Sequence, residues 1–164
     1  MKKVEHGKTF DRNAANPPAF EIFHNTVTEG YPEHWHTAIE IIMPTRGEYE
    51  VVVGKDSYNL KEGDIIMINS GVVHGMRFVS QGERIVMLVE PGCVENQEEM
   101  ETIFLRLPAI YFKKEDEEDP FYLFLRSQIL ELVREYDNEG AVMTHRICTG
   151  LKELFSEFGR KGFS

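Results

Sequence analysis

Cysteine is nearly absent from this chain, with two in 164 residues, Cys93 and Cys148. They lack the paired spacing of thiolate metal sites, which argues against zinc ribbons and disulfide scaffolds. They read as reduced thiols of a cytoplasmic protein. Long apolar runs are missing too. No stretch approaches the roughly 18 residues that a membrane helix requires. The N-terminus, Met1-Lys2-Lys3-Val4-Glu5-His6, lacks the apolar centre of a signal peptide. Positive charge is in deficit, since 18 lysines and arginines face 28 aspartates and glutamates, for a formal net charge of −10. Such a surface repels phosphate backbones and anionic lipid, so direct binding to nucleic acid or membrane is not expected.

What is present divides the chain into three regions. Residues 1–19 are polar and run into Asn16-Pro17-Pro18, which reads as an arm with little to pack. Residues 20–92 are dense in short β-like runs: 20–23, 38–43, 48–53, 57–60, 65–68, 74–79 and 84–89. Turn residues separate them, among them Gly54-Lys55-Asp56, Glu62-Gly63-Asp64 and Ser70-Gly71, a rhythm that favours an all-β sandwich or barrel. Tyr49, Val51 and Val53 share one parity and His74, Met76 and Phe78 another, and both sets are expected to face inward. Met43, Met67, Met76 and Met87 read as core filler, Asp64 as a turn residue, and Trp35 as a packing residue outside the β unit.

Residues 93–164 change period. A helix is expected over 95–107, followed by a charged loop. Asp119-Pro120 then reads as an N-cap with proline at the first helical position. Phe121, Leu125, Ile129, Leu132, Val133 and Tyr136 form one apolar stripe; Ile147, Leu151, Leu154, Phe155 and Phe158 form another beyond Gly140. Two such helices joined by a short turn read as an antiparallel pair, covering the β unit or forming a dimer seam.

The chemistry concentrates in His34-Trp35-His36-Thr37-Ala38-Ile39-Glu40 and in His74. Imidazole nitrogen and carboxylate oxygen suit zinc, iron, nickel or copper. On a strand, His34 and His36 share a face with the small Ala38. Glu40 has the same parity but lies roughly 13 Å beyond His36 on a straight strand. It joins the cluster only if the chain bends.

These segments, His34-x-His36-x3-Glu40-x6-Gly47 and then Gly63-Asp64 through Gly71-x2-His74, resemble the two motifs of the cupin superfamily. The resemblance implies a small antiparallel β-barrel, or double-stranded β-helix, and carries metal-ligand roles to His34, His36, Glu40 and His74. Asn69 replaces the usual proline of the second motif and Phe78 its closing asparagine; neither position is a ligand in the family. A barrel followed by some seventy residues of helix is similar to the N-terminal sensor and dimerisation domain of AraC-type transcription regulators. That likeness implies a small-molecule effector, an arm that closes over it and homodimerisation through the C-terminal helices. The regulators' DNA-binding part is absent from this chain and would follow Ser164. On this reading the effector contacts His34, His36, Glu40 and His74, directly or through a divalent metal (zinc, nickel, iron or manganese), with Tyr49, Met76 and Phe78 as apolar wall. The alternative is a metal-dependent cupin enzyme such as a dioxygenase or isomerase, against which no second set of polar residues stands out as acid and base.

Overall fold

The computed structural model describes residues 18–26, 30–78, 81–94, 107–116 and 118–161, without the side chains of Phe78 and Asp116. Among the described residues, nine strands form two antiparallel sheets. The first five are β1 (Phe20–Asn25), β2 (Tyr31–His34), β3 (Ile39–Arg46), β4 (Tyr49–Val53) and β5 (Asp56–Leu60). They are followed by β6 (Ile65–Ile68), β7 (His74–Phe78), β8 (Glu83–Val89) and β9 (Ala109–Phe112). A five-stranded sheet has the order β1-β8-β3-β6-β9, and a four-stranded sheet the order β2-β7-β4-β5. The two face each other as a barrel-like sandwich with a shared apolar interior.

Alternation of side chains explains both the apolar runs and the interior. In the five-stranded sheet, Ile42, Ile66, Ile68, Val86 and Leu88 point between the sheets, where they meet Tyr49, Val51, Val53, Leu60 and Met76 of the other sheet. The intervening residues Ile39, Ile41, Met43, Ile65, Met67, Ile85 and Met87 point the opposite way. They are buried there by two helices, α1 (Pro120–Asp137) and α2 (Met143–Lys161). Both faces of this sheet are therefore dry, which is why β3, β6 and β8 read as nearly unbroken apolar runs. The four-stranded sheet alternates instead: β4 is buried at Tyr49, Val51 and Val53, with Glu50 and Val52 on the outer face.

This packing bears on three expectations. The boundary at residue 92 does not coincide with the edge of the β unit, because β9 pairs with β6 from Ile65↔Phe112 to Ile68↔Ala109. β2 and β9 were not anticipated: each has four residues, and both are edge strands, where pairing on one side makes weak demands on sequence. Pro32 is tolerated in β2 for that reason. The stripe Ile147, Leu151, Leu154, Phe155 and Phe158 is at most 1 % exposed, being spent on the sheet and on α1 within the chain. Of the two roles expected for it, the stripe takes the first, covering the β unit within the chain. The helix expected at 95–107 and the arm at 1–17 lie outside the described residues.

The start of α1 follows the sequence expectation. Asp119 is the N-cap, its carboxylate accepting from Phe121 N at 2.9 Å, and Pro120 occupies the first turn. Asp64 is a structural turn residue. Its carboxylate accepts from Lys61 N at 2.9 Å, Tyr111 hydroxyl at 2.6 Å and Lys114 N at 2.8 Å, tying the β5–β6 turn to β9.

Candidate metal centre

The four donor residues come from three strands and one crossing segment that the chain's path brings to one end of the sandwich. His34 closes β2 and stands directly opposite His74, the first residue of β7. The chain then leaves the four-stranded sheet, crosses through Trp35–Ala38, and enters the five-stranded sheet as β3. The crossing is held by a hydrogen bond from Gly71 N to His36 O at 2.9 Å, with Gly71 at φ +75, a left-handed conformation that suits glycine. His34 and His36 therefore do not share one straight strand. The change of sheet between them is the bend that brings Glu40 back to the histidines.

Ring centroids lie 4.6 Å apart for His34 and His74, 4.9 Å for His36 and His74, and 5.4 Å for His34 and His36. One ligand atom from each of the three histidines and Glu40 falls within 4.8 Å of all the others. Ala38, fully buried beside them, takes up little of that space. His36, Glu40 and His74 are buried, and His34 is the outermost, exposed member.

The hydrogen bonds fix which nitrogen of each ring points inward. His34 Nδ1 lies 3.0 Å from Pro32 O, His36 Nδ1 2.9 Å from Ala38 O, and His74 Nδ1 2.8 Å from Val72 O. A carbonyl oxygen accepts only, so each Nδ1 carries hydrogen and donates it. Nε2 is then the lone-pair nitrogen of the neutral ring, and a backbone carbonyl behind a ligating histidine is the usual outer support of a metal site. Glu40 Oε2 lies 2.9 Å from Nε2 of both His36 and His74. Lone pairs held that close to a carboxylate require a cation among them, either a second ring proton or a metal ion.

Protonation follows the same geometry. Burial alone would raise the Glu40 carboxyl, but hydrogen bonds and charge from His36 and His74 outweigh it and hold the group far below the usual carboxylate range. Burial works to lower His74, yet its bond to Glu40 prevails and raises the ring above its ordinary value. His34 is lowered, first by partial burial and further by the neighbouring imidazoles.

Tyr31 is the residue that sequence reasoning missed. Its hydroxyl donates to Glu40 Oε1 at 2.8 Å, which leaves Oε2 as the oxygen turned toward the imidazoles. Burial and then the Glu40 charge raise the phenol well above its ordinary value, so it remains a donor. The only sequence signal was its position three residues before His34.

Of the seven residues expected to line one pocket, His34, His36, Glu40 and His74 gather at one end of the sandwich, while the side chain of Phe78 is outside the described residues. Val53 is the residue paired with His74, whereas Tyr49 pairs with Phe78 at the far end of the same strands. That end lies roughly 13 Å from the histidines at the rise of a strand. Met76 lies between, 2 % exposed in the apolar interior. Parity correctly assigned the inward face of Tyr49 and Met76, but it carries no information about depth along the barrel. The Tyr49 ring packs under the Arg84 guanidinium, 4.9 Å from its centroid. Trp35 is half exposed near the histidines.

Comparison with known proteins agrees with this architecture. Residues 25–90 match the family described as the cupin domain. The apo K231A variant of ToxT from Vibrio cholerae aligns with a TM-score of 0.57 at 11 % identity, covering 89 % of this chain and 58 % of that one. Wild-type ToxT from the same organism, bound to an unsaturated fatty acid, aligns at 0.53 and 12 %, covering 89 % and 55 %. The chain thus spans a little over half the length of ToxT. The SPY1581 protein of unknown function from Streptococcus pyogenes aligns at 0.43 and 17 %, covering 56 % and 94 %. No curated protein sequence matches the chain significantly. No described helix is long and apolar enough to cross a membrane.

Proposed function

We propose that this chain is a small-molecule-sensing cupin domain of AraC-regulator type, with a divalent metal held by His34, His36, Glu40 and His74. The observation that carries the regulator reading is the extent of the likeness to ToxT, an AraC-type regulator, which spans 89 % of this chain. The metal reading rests on three Nδ1–H groups spent on carbonyls, on the Nε2 atoms of His36 and His74 each 2.9 Å from one carboxylate oxygen, and on four ligand atoms within 4.8 Å of one another.

The donor set fits zinc, nickel, iron or manganese, and a bound ion supplies a Lewis-acid anchor for an oxygen donor of the effector. The chain's own residues do the rest. Tyr31 holds Glu40 in one orientation, the carbonyls of residues 32, 38 and 72 hold the ring tautomers, and exposed His34 marks the side from which a ligand approaches. Effector binding alters the helix layer only if it favours one packing of sheet and helices over another. Pairing of two chains then uses the solvent face of the helix layer, where Leu123 and Val142 are exposed.

A metal-dependent cupin enzyme, a dioxygenase or isomerase, is the second reading, favoured by the same three-histidine, one-carboxylate set. Metal-loaded protein challenged with a panel of small molecules, unsaturated fatty acids included, separates the two. A compound that raises the melting temperature and is recovered unchanged supports the sensor. Metal-dependent turnover of the compound, or oxygen consumption with it, supports the enzyme and removes the sensor reading.

A further inference from the structure

The two cysteines, so far apart in sequence, are neighbours in space. Cys93 ends the 3-10 turn Pro91–Cys93 that leaves β8, and Cys148 lies in the second turn of α2. Their sulfurs are 3.5 Å apart in a thiol–thiol contact that spans 55 positions of the chain. Both are half-buried, open enough for a small oxidant to reach and packed enough to remain facing each other. A disulfide requires about 2.05 Å between sulfurs, so the pair is short of bonding distance by roughly 1.5 Å, within reach of side-chain rotation. The turn that carries Cys93 packs against α2.

We propose that Cys93 and Cys148 form a reversible intramolecular disulfide, a redox clasp that locks α2 to the end of the β-sandwich. The oxidant is a peroxide. Two thiols give up two protons and two electrons as the S–S bond forms, and the peroxide O–O bond breaks as it takes them up, leaving two water molecules when the oxidant is hydrogen peroxide. A thiol reductant reverses the bond by exchange through a mixed disulfide. Burial, then the bond from Cys148, push the Cys93 thiol up to about 12, so in the resting state it keeps its proton. Lys152, one helical turn beyond Cys148, opposes part of that rise at Cys93 with its positive charge. Closing a loop of this size restricts the unfolded chain far more than the folded one, so the oxidised form is the more stable. The clasp acts on the junction between barrel and helices, and it stands whether or not a metal or effector binds at the histidines.

The test uses the full chain, oxidised with a modest excess of hydrogen peroxide and then analysed under denaturing, non-reducing conditions. The expected result is loss of both titratable thiols and a fall in intact mass of about 2 Da, the two departing hydrogens. Cys93 and Cys148 should appear in one linked peptide after digestion. The melting temperature should rise by roughly 10 °C and return to its starting value on reduction. C93S and C148S should each show no mass loss and no thermal gain, and the wild-type comparison before and after oxidation remains decisive if either variant folds poorly. Mass gains from sulfinic or sulfonic acid, a covalent dimer, or thiols unchanged by peroxide would each overturn the proposal.

Discussion

Glu40 is the residue on which the site turns. It is the one acidic side chain in the apolar run of β3, at 3 % exposure, and it holds two imidazoles and a phenol at once. Removing the phenol's hydroxyl by Tyr31→Phe leaves Glu40 Oε1 unpartnered and the carboxylate free to turn. Metal affinity should fall by about 10- to 100-fold, the usual effect of losing an outer-shell partner. Competitive titration with a chelator measures it, and an unchanged affinity would show that Glu40 is oriented by other groups. The pH dependence of the metal-free chain follows from the two opposed shifts. His74, raised, contributes stability that is complete below its ordinary value of 6.5 and is lost as pH rises through its higher folded value. Glu40, lowered, contributes stability that is complete above its ordinary 4.5 and is lost as pH falls through its depressed value. The pair is therefore worth most between those two ordinary values, a gain that His34, held below 6.5, trims on the acid side. Thermal melts of metal-free protein should move down as pH rises above about 6.5 and through the raised folded value of His74, and added zinc should restore the loss. A flat profile would mean that the carboxylate and imidazoles are not in contact in solution.

Among the elements, legibility in the sequence tracked how much each strand buries. β4 alternates because one of its faces is solvated, while β3, β6 and β8 announce themselves as apolar runs because both of their faces are dry. β2 and β9 carry neither pattern, since an edge strand of four residues is stabilised by its partner more than by its own composition. That is also why the geometry of His34 and His36 was only half visible. Their shared pocket follows from the motif, but the change of sheet between them is a tertiary event that no period reports. Asp64 shows the same limit. Its place after Gly63 identified a turn, whereas its bonds to Tyr111 and Lys114 depend on a strand 45 residues or more away. Asp64→Ala should cost roughly 1–3 kcal/mol, because it removes the acceptor of two part-buried amides and of the Tyr111 hydroxyl. Urea denaturation reads that directly, and a loss under about half a kcal/mol would make the tie to β9 incidental.

Across the whole molecule, the helix pair is part of the monomer's core before it is anything else. Leu151 and Leu154 are fully buried, so Leu154→Ala should lose about 2–5 kcal/mol of stability, and a charge at Leu151 should unfold the chain instead of separating a dimer. If two chains pair through the helix layer, as proposed, a charge at exposed Leu123 should halve the mass seen by light scattering and leave the melting temperature nearly unchanged. A folded monomer at high concentration in the unmutated chain would remove the pairing proposal. Most directly, the account stands or falls on what the histidine cluster holds. Protein purified without a histidine tag should carry a stoichiometric transition metal by elemental analysis, and the combined change His36→Ala and His74→Ala should abolish it while the β-rich circular dichroism persists. Folded, unmutated protein that contains no metal and takes up none on dialysis against zinc, nickel, iron or manganese would contradict it.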